Sequence, residues 1–421
     1  MPTSFTKEER VMFDDMVEGF DAFLSYGALA RKYEPLLPEE MVHTRDRFWV
    51  HAPMIGASYD GFDQTSNFDG LTELAVPAQV GFHKSVPKTL SAKNLRNKHA
   101  LSMYADAAKE RLASDVNIAL RNRVALEGSV FVKRTVAATG FDDVAIANAA
   151  FSEVGVPVGD RVAMVGLRTG VGMASNLAGR SEATDRSSKA YTSGLVASRI
   201  ANFDVYSDDA PIRLAAATGG ATTVNGANQY TEPSAFYTQA DGEQVNKDNR
   251  YTDVVVTSAN YAGIKVGDAF TIAGVNSLHN IEKTDTGQLQ TFRVVGKPAA
   301  NTIRVYPAII PNTGNTIGGR EYQNVTAAPA NGATLTWLNT VTAEVNPFFV
   351  RGALLLIPGS FTVDPQDGWQ TLRATTSNGI AIQYTRQGAI NDLSVKARWD
   401  IDFGTALLNP QMAGAMMFGQ A

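Results

Sequence analysis

Between about Ala221 and Thr340 lies a stretch in which no segment is long enough for a helix, set between flanks of a different pattern. Short runs rich in Val, Ile, Phe and Tyr occur at 251–258 (YTDVVVTS), 264–275 (IKVGDAFTIAGV), 289–296 (LQTFRVVG) and 302–310 (TIRVYPAII). Each is bounded by Gly, Asn, Asp or Pro, the punctuation of strands and turns. Helical periodicity precedes the block, and longer strand signals follow it. The block reads as a barrel-like β domain dropped into the middle of another domain, which restricts the fold to architectures that tolerate such an interruption.

At 421 residues the chain has room for two or three domains. Hydrophobic residues make up 44% and charged residues 19%, enough apolar surface for a packed core and too much for wholesale disorder. A formal net charge of −5 argues against a dedicated nucleic-acid binder, though not against a protein that encloses nucleic acid without gripping it. Cysteine is absent, so disulfides, thiolate metal sites and cysteine nucleophiles are ruled out. The N-terminus lacks a basic region followed by an apolar core, and no run approaches a membrane span. The longest apolar candidate, Phe348 to Pro358, is short and carries Arg351. The expectation is a soluble product made in a reducing cytoplasm, with no membrane association.

Thr6-Lys-Glu-Glu9 has the form of a capping box, opening an amphipathic segment over residues 6–26. Val11/Met12, Met16, Phe20 and Phe23/Leu24 recur on one face, while Asp14, Asp15, Glu18 and Asp21 fall largely off it, and Gly27 is the expected break. Arg45–Met54 and Glu73–Lys84 read as two strands joined by a polar, Gly-, Asp- and aromatic-rich loop. They form either an extended tip that needs a partner surface or an ordinary hairpin over its own core. Ser91 to Glu127 contains neither Gly nor Pro, and Tyr104, Ala108, Leu112, Val116, Leu120 and Val124 recur every fourth residue. Unbroken, that helix would be a rigid spine of roughly 55 Å; the alternative is a break near Ser114. Asp142 is the expected cap of a helix reaching Glu153, 161–167 reads as a buried strand, and Ser187–Arg199 as a second helix. Past the block, 342–358, 379–387 and 392–404 read as strands closing the same sheet.

Catalytic or metal chemistry finds little support. His43, His51, His83, His99 and His279 are scattered without ligand spacing. Gly166 to Gly172 lacks the Gly-Lys-Ser/Thr ending of a phosphate-binding loop and reads as a turn between strand and helix. Asp60, Asp63 and Asp69 lack the spacing and closing Glu of an EF-hand. No Gly-x-Ser-x-Gly elbow occurs. The expectation is no enzyme, no cofactor and no metal. Residues 241–250, with Asp241, Glu243, Lys247, Asp248 and Arg250, concentrate both signs of charge on a loop that is either a solvated turn or an intermolecular salt-bridging element.

An acidic arm, an extended two-stranded loop, a long helix and a discontinuous α/β domain occur in that order around the β insertion. Together they resemble the coat proteins of short-tailed bacteriophages of the P-twenty-two type, which share the tailed-phage major capsid fold (Hong Kong ninety-seven type). The resemblance is strongest at Glu232-Pro-Ser-Ala, Asp248-Asn-Arg-Tyr251, Lys265-Val-Gly-Asp268 through Ala273-Gly-Val275, Thr291-Phe-Arg-Val-Val295 and Thr302-Ile-Arg-Val305. Weaker echoes lie at Arg31-Lys-Tyr33, Phe48-Trp49 and Gly70-Leu-Thr-Glu-Leu74.

The resemblance implies an α+β chain with an N-terminal arm (1–40), an extended loop (41–90) and a spine helix with peripheral domain (91–141). After these come the first part of the A-domain (142–220), the inserted β-barrel (221–340) and the second part of the A-domain (341–421). It also implies a major capsid protein that forms hexamers and pentamers on a scaffolding protein and expands when DNA is packaged. Its partners would be copies of itself, the scaffolding protein and the portal protein, enclosing double-stranded DNA without specific binding. By the same resemblance, Asp14, Asp15 and Glu18 match the positions that receive the scaffolding protein's basic end, and the 241–250 loop occupies the place of one that bridges capsomers. The site would be the virion shell, assembled in the host bacterial cytoplasm. The rival reading is another virion protein, a tail or decoration protein built around the barrel.

Overall fold

The computed structural model describes residues 5, 7–33, 47–52, 56, 60–65, 68, 73–91, 98–178, 199–208, 210–311, 321–359, 361, 369–389, 391 and 394–421. The chain divides into two compact units. The first comprises Met1–Phe48, Pro77–Arg121 and Leu354–Ala406; the second comprises Trp49–Val76, Asn122–Ala353 and Leu407–Ala421.

The first unit is organised by a sheet in the order Arg31–Lys32, Leu354–Pro358, Ser394–Leu407, Ala381–Ala389, Gln370–Thr375, with Ala75–Ser91 also paired to Ser394–Leu407. Period-two alternation sends Ala397, Trp399, Ile401 and Phe403 into the core, beside Ile382 and Tyr384 of the neighbouring strand. Tyr384 and Trp399 are both fully buried, their ring centroids 5.2 Å apart. The register between Ser394–Leu407 and Ala75–Ser91 slips by one residue after Phe403↔Phe82. Gly404 sits at that bulge because a Cβ there would come within 2.2 Å of the Gln79 carbonyl oxygen.

Helix α1 (Lys7–Phe20) buries Met12, Phe13, Met16 and Phe20. It ends earlier than the break expected at Gly27: Asp21–Phe23 form a tighter turn, and Gly27 lies inside helix α2 (Ser25–Leu29). The kink is fixed from outside, because the Asn117 side chain donates to the Phe23 carbonyl (2.7 Å) and accepts from the Tyr26 amide (3.2 Å). Gly27 is needed for space, since a Cβ would meet the Leu24 side chain at 3.1 Å. Thr6 of the expected capping box lies outside the described residues.

Helix α3 (Lys98–Glu127) is continuous through Ser114. It starts later than Ser91, which belongs to the preceding strand, and spans about 45 Å at 1.5 Å per residue. Ala105, Ala108, Leu112, Val116, Leu120 and Val124 form its buried stripe. Lys109–Asp106 (2.9 Å) and Arg111–Asp115 (3.1 Å) are ion pairs one turn apart on its surface.

The second unit contains a six-stranded mixed sheet in the order Val130–Lys133, Ala413–Met417, Asn346–Val350, Arg161–Gly166, Phe203–Asp208, Arg199–Ile200. Arg161–Gly166 is buried throughout, as its apolar run predicts. Phe151, Phe203 and Phe348 pack at centroid separations of 4.8–5.9 Å. Phe151 comes from helix α4 (Phe141–Val154), which is organised by Asp143 rather than the expected Asp142. The fully buried Asp143 carboxylate accepts from the backbone amides of Thr139 (2.6 Å) and Gly140 (3.1 Å) and from Arg134 Nε (2.8 Å). The turn expected after Gly166 is absent: helix α5 (Leu167–Ala178) follows directly, with Gly170 and Gly172 inside it. The helix expected at Ser187–Arg199 lies outside the described residues except for Arg199, which opens a short strand.

Of the strands beyond the insertion, Asn346–Val350 joins this six-stranded sheet, whereas Leu354–Pro358, Ala381–Ala389 and Ser394–Leu407 belong to the sheet of the first unit. They do not close one common sheet, because each sheet already carries its own buried face.

Residues 221–340 hold a separate five-stranded antiparallel sheet, ordered Thr252–Val255, Thr302–Tyr306, Asp285–Ala299, Ala269–Leu278, Leu335–Trp337. Residues 222–225 close it into a ring. Leu335 N donates to Thr222 O and Val224 N to Ala333 O on one side, while Asn225 N donates to Val255 O and Thr257 N to Thr223 O on the other (all 2.9 Å). No edge is left open along that stretch. Val224, Val254, Phe270, Ile272, Phe292, Val294, Ile303, Val305 and Leu335 fill the interior.

The ring meets the rest of its unit at two helix ends. Fully buried Arg293 donates through Nε to the Leu126 carbonyl (3.4 Å) and through Nη2 to that of Ala125, carbonyls that the end of α3 leaves unpaired. Asn280 N donates to the Val154 carbonyl at the end of α4 (2.9 Å), and the His279 ring lies where a Cβ on Gly155 would come within 2.8 Å. Beside this contact, Lys283 donates to the Gln323 carbonyl at 2.9 Å, and burial lowers its amine to a pKa of about 8, against the opposing influence of Glu321. Below pH 8 the amine is charged in both folded and unfolded chains and its burial is a constant cost. Between pH 8 and its ordinary value of 10.5 the folded chain releases the proton first, so stability rises with pH across that window. The urea midpoint of the native chain should therefore gain on that of Lys283→Met between pH 7.5 and pH 10; an unchanged gap would contradict this.

Candidate assembly surfaces

The acidic residues of α1 and of the turn that follows it are divided between two tasks. Glu9, only 2% exposed, pairs with Arg386, whose guanidinium also lies 4.6 Å over the Phe5 ring and donates to Gln370 at 2.7 Å. Asp21 accepts from the Ser377 amide (2.9 Å), the Ser377 hydroxyl and the Asn378 side chain (2.8 Å). Both carboxylates fasten the arm to the sheet of its own unit. Asp14, Asp15 and Glu18 are exposed on the side opposite the buried Met12, Phe13 and Met16. Helical spacing separates these groups: an apolar stripe faces inward, so acids on the far side are left to face water.

Residues 241–250 separate in a different way. Phe236–Thr238 and Gln244–Asn246 form a two-stranded hairpin on a sheet of its own. Its turn is closed by Gln239 N to Glu243 O (2.8 Å) and Gly242 N to Gln239 O (3.0 Å), with Gly242 at φ +89° as a three-residue hairpin loop requires. Asp241 and Glu243 stand exposed at the tip, and Phe236 and Tyr237 are exposed along one strand.

Lys247, Asp248 and Arg250 lie at the base and are bound within the chain. Lys247 donates to the Glu232 carbonyl (2.6 Å). Arg250 holds Asp248 through Nε and Nη2 (2.9 and 2.8 Å) and donates to the Leu407 carbonyl through Nη1 (2.7 Å). Burial opposes the Arg250 charge, but the two-point pairing with the Asp248 carboxylate outweighs it and keeps the guanidinium firmly protonated. The charge run in the sequence thus contains an outward acidic tip and an inward structural pair. The sequence signal separating them is the Asp-x-Arg spacing on either side of Asn249, which matches the two-residue reach of the ion pair.

A third exposed element is the loop after Arg47–His51, where Phe62 and Phe68 lie open to solvent. Asp63 caps Thr65 through its backbone amide (3.1 Å) and hydroxyl (2.6 Å), and its carboxyl is held below the usual range mainly by that hydroxyl.

None of these surfaces has the form of an active site. Among the described residues no three His, Asp or Glu side chains gather as metal ligands. A groove of about 720 Å³ on the first unit's sheet contains His83, Arg398 and Asp400. Its carboxylate is already taken up by Arg398 (2.6–3.0 Å), with His83 at 3.6 Å.

A family model described as P22 coat protein, gene protein 5, matches residues 1–419. Among solved structures, the chain is similar to the CUS-3 coat protein I-domain at 37% identity, over 29% of this chain and 97% of that one, with a TM-score of 0.23. It is similar to a chain of Mycobacterium phage Che8 at 8% identity, over 93% of this chain and 90% of that one (TM-score 0.44). A chain from the capsid structure of the cyanophage P-SCSP1u is similar at 10% identity, over 89% and 83% of the two chains (TM-score 0.40).

Proposed function

This chain belongs to the P22 coat protein family, matched over residues 1–419, and from that premise we propose that its exposed acidic surfaces direct the assembly of the shell it forms. The protein is a major capsid protein of a bacteriophage and has a structural role, not an enzymatic one. In this reading Asp14, Asp15 and Glu18 receive a basic segment of a scaffolding protein during procapsid assembly. The hairpin tip at Asp241 and Glu243 joins neighbouring capsomers, with Lys247, Asp248 and Arg250 stiffening its base. Hexamers and pentamers of the chain close the shell, a portal protein occupies one vertex, and the shell expands around double-stranded DNA that it encloses without specific contacts. Assembly takes place in the host cytoplasm.

The observation that carries the scaffolding assignment is the division of labour on α1. Glu9 and, in the following turn, Asp21 are locked to Arg386, Ser377 and Asn378, which fixes the helix and leaves the three outer acids as an exposed row that makes no ion pair among the described residues. A row of like charges held on a rigid element suits a basic partner, with specificity that weakens as salt rises. The exposed hairpin supports the inter-capsomer role, because two strands with open edges and aromatic faces gain burial only from a partner.

The test is Asp14→Lys, Asp15→Lys and Glu18→Lys together, co-expressed with the scaffolding protein. Each exposed ion pair contributes about 0.2–1 kcal/mol, so reversing three should lower scaffold binding by roughly tenfold or more at low salt. Subunits should remain folded while closed shells disappear from micrographs. Shell yields equal to the native chain's at every salt concentration would refute the assignment.

A further inference from the structure

Seven glycines follow an Asn or Asp in this chain: Asn225–Gly226, Asn331–Gly332, Asn378–Gly379, Asp60–Gly61, Asp69–Gly70, Asp241–Gly242 and Asp367–Gly368. Such pairs are where backbones rearrange spontaneously. The glycine amide nitrogen attacks the preceding side-chain carbonyl carbon, expelling ammonia from Asn or water from Asp, and a cyclic succinimide forms. Water then opens the ring at either carbonyl, giving Asp or iso-Asp. The attack needs a glycine N–H that is not already donated and a backbone free to bend.

From sequence alone the three Asn–Gly pairs would be ranked as the vulnerable sites. In the fold, each of their glycine amides is donated. Gly226 N gives its hydrogen to the Asn331 side-chain oxygen (2.8 Å), Gly332 N to the Val224 carbonyl (2.9 Å), and Gly379 N to the Thr376 carbonyl (2.9 Å). The first two pairs guard each other, since Asn331 protects Gly226 while the segment before Asn225 protects Gly332. Asn378 has a further constraint, because its amide group donates to Asp21 at 2.8 Å. Deamidation there would set a second carboxylate against Asp21 and loosen the fastening of the arm. Asp241–Gly242 is guarded too, by Gly242 N to Gln239 O (3.0 Å). Asp69–Gly70 and Asp367–Gly368 lie outside the described residues.

Asp60–Gly61 differs from all of these. Both residues are exposed, Gly61 has φ +103° with nothing within 4 Å of its Cβ position, and among the described residues its amide makes no hydrogen bond. The bonds that shape this loop go to the carbonyls instead, from Gln64 Nε2 to Asp60 O (3.2 Å) and Gly61 O (2.7 Å). We infer that Asp60–Gly61 is a site of spontaneous succinimide formation and iso-aspartate accumulation in the folded protein, while the three Asn–Gly pairs are held intact by the fold. The product inserts one methylene into the backbone two residues before the exposed Phe62, so ageing would change the shape of this loop and leave both cores untouched.

The experiment ages the full-length chain at pH 6 and 37 °C, once folded and once in urea. Peptide mapping follows mass changes at the three asparagines, and isoaspartyl methyltransferase labelling follows Asp60. In the folded chain iso-Asp should accumulate at Asp60, and Asp60→Glu, which disfavours the five-membered ring, should abolish the label there. Loss of Asn225, Asn331 and Asn378 should be at least about fivefold slower folded than in urea, the factor one net hydrogen bond is worth. The inference is overturned if those asparagines are lost equally fast in both states, or if folded Asp60 stays unmodified while the urea sample reacts.

Discussion

Arg293→Met should destabilise the protein by about 2–4 kcal/mol, the combined cost of leaving two helix-end carbonyls without a donor and Asp268 without its neighbouring positive charge. Two effects compete at this residue. Burial pushes the guanidinium down to a pKa of about 10 despite the neighbouring Asp268, and among the described residues its Nη1 has no hydrogen-bond partner, so the charge itself is a burden. Against that, the side chain serves the carbonyls of Ala125 and Leu126 and lies 5.2 Å over the Phe131 ring. Methionine keeps much of the volume and removes the burden, so any remaining loss measures the capping. Capping should win, because no other described group donates to those two carbonyls from the ring. The readout is the urea midpoint of the full chain, with Arg293→Lys recovering part of the loss through its single charged donor. A midpoint for Arg293→Met at or above the native value would show that the charge burden dominates.

The second large effect is expected at Arg386. Removing one partner of a buried ion pair leaves the other uncompensated, at about 3–5 kcal/mol if the site cannot relax. Here it can relax, because Glu9 rides on an arm held by a limited set of contacts, and lifting that arm hydrates the carboxylate. Arg386→Ala should therefore express itself as an arm that comes away, with the rest of the subunit retained. Protease cleavage within residues 7–29 should be at least roughly tenfold faster, matching an undocking free energy lowered by a little over 1 kcal/mol. The double variant Glu9→Gln, Arg386→Met should restore most of the protection, since neither side then carries a buried charge. Equal cleavage of Arg386→Ala and native protein would remove Arg386 from its role as anchor.

Much of this was legible in the sequence, for a physical reason. The α3 stripe and the alternation in 394–404 are periodic, and periodicity survives translation from sequence to structure because burial enforces it. The inserted block could be read from its turn punctuation, and residues 221–340 hold a five-stranded sheet with an apolar interior. What escaped was long-range. Glu9 and Asp21 sit among the other acids of the N-terminal arm, and nothing local marks these two as partners of residues more than three hundred positions away. Arg293 lies between Phe292 and Val294 in an apolar strand, and nothing local shows that it caps the end of a distant helix. In the sequence, charge alone does not set the inward pair at Asp248 and Arg250 apart from the exposed tip, because a run of charges does not reveal which members face water. The pattern points to Asp142 where Asp143 serves, because a side chain that reaches backward to amides preceding the helix sits one position further in.

The closure of the β ring by residues 222–225 has a consequence for how the protein is made. The segment that completes the ring leaves the ribosome first, and its partner around Leu335 emerges about 110 residues later, a wait of roughly 5–20 s at ordinary elongation rates. During that interval the nascent chain holds strands with apolar faces and open edges at both ends of an unfinished cylinder. Synthesis speed through this region, and whatever shelters the growing chain, therefore bear on how many subunits reach the shell.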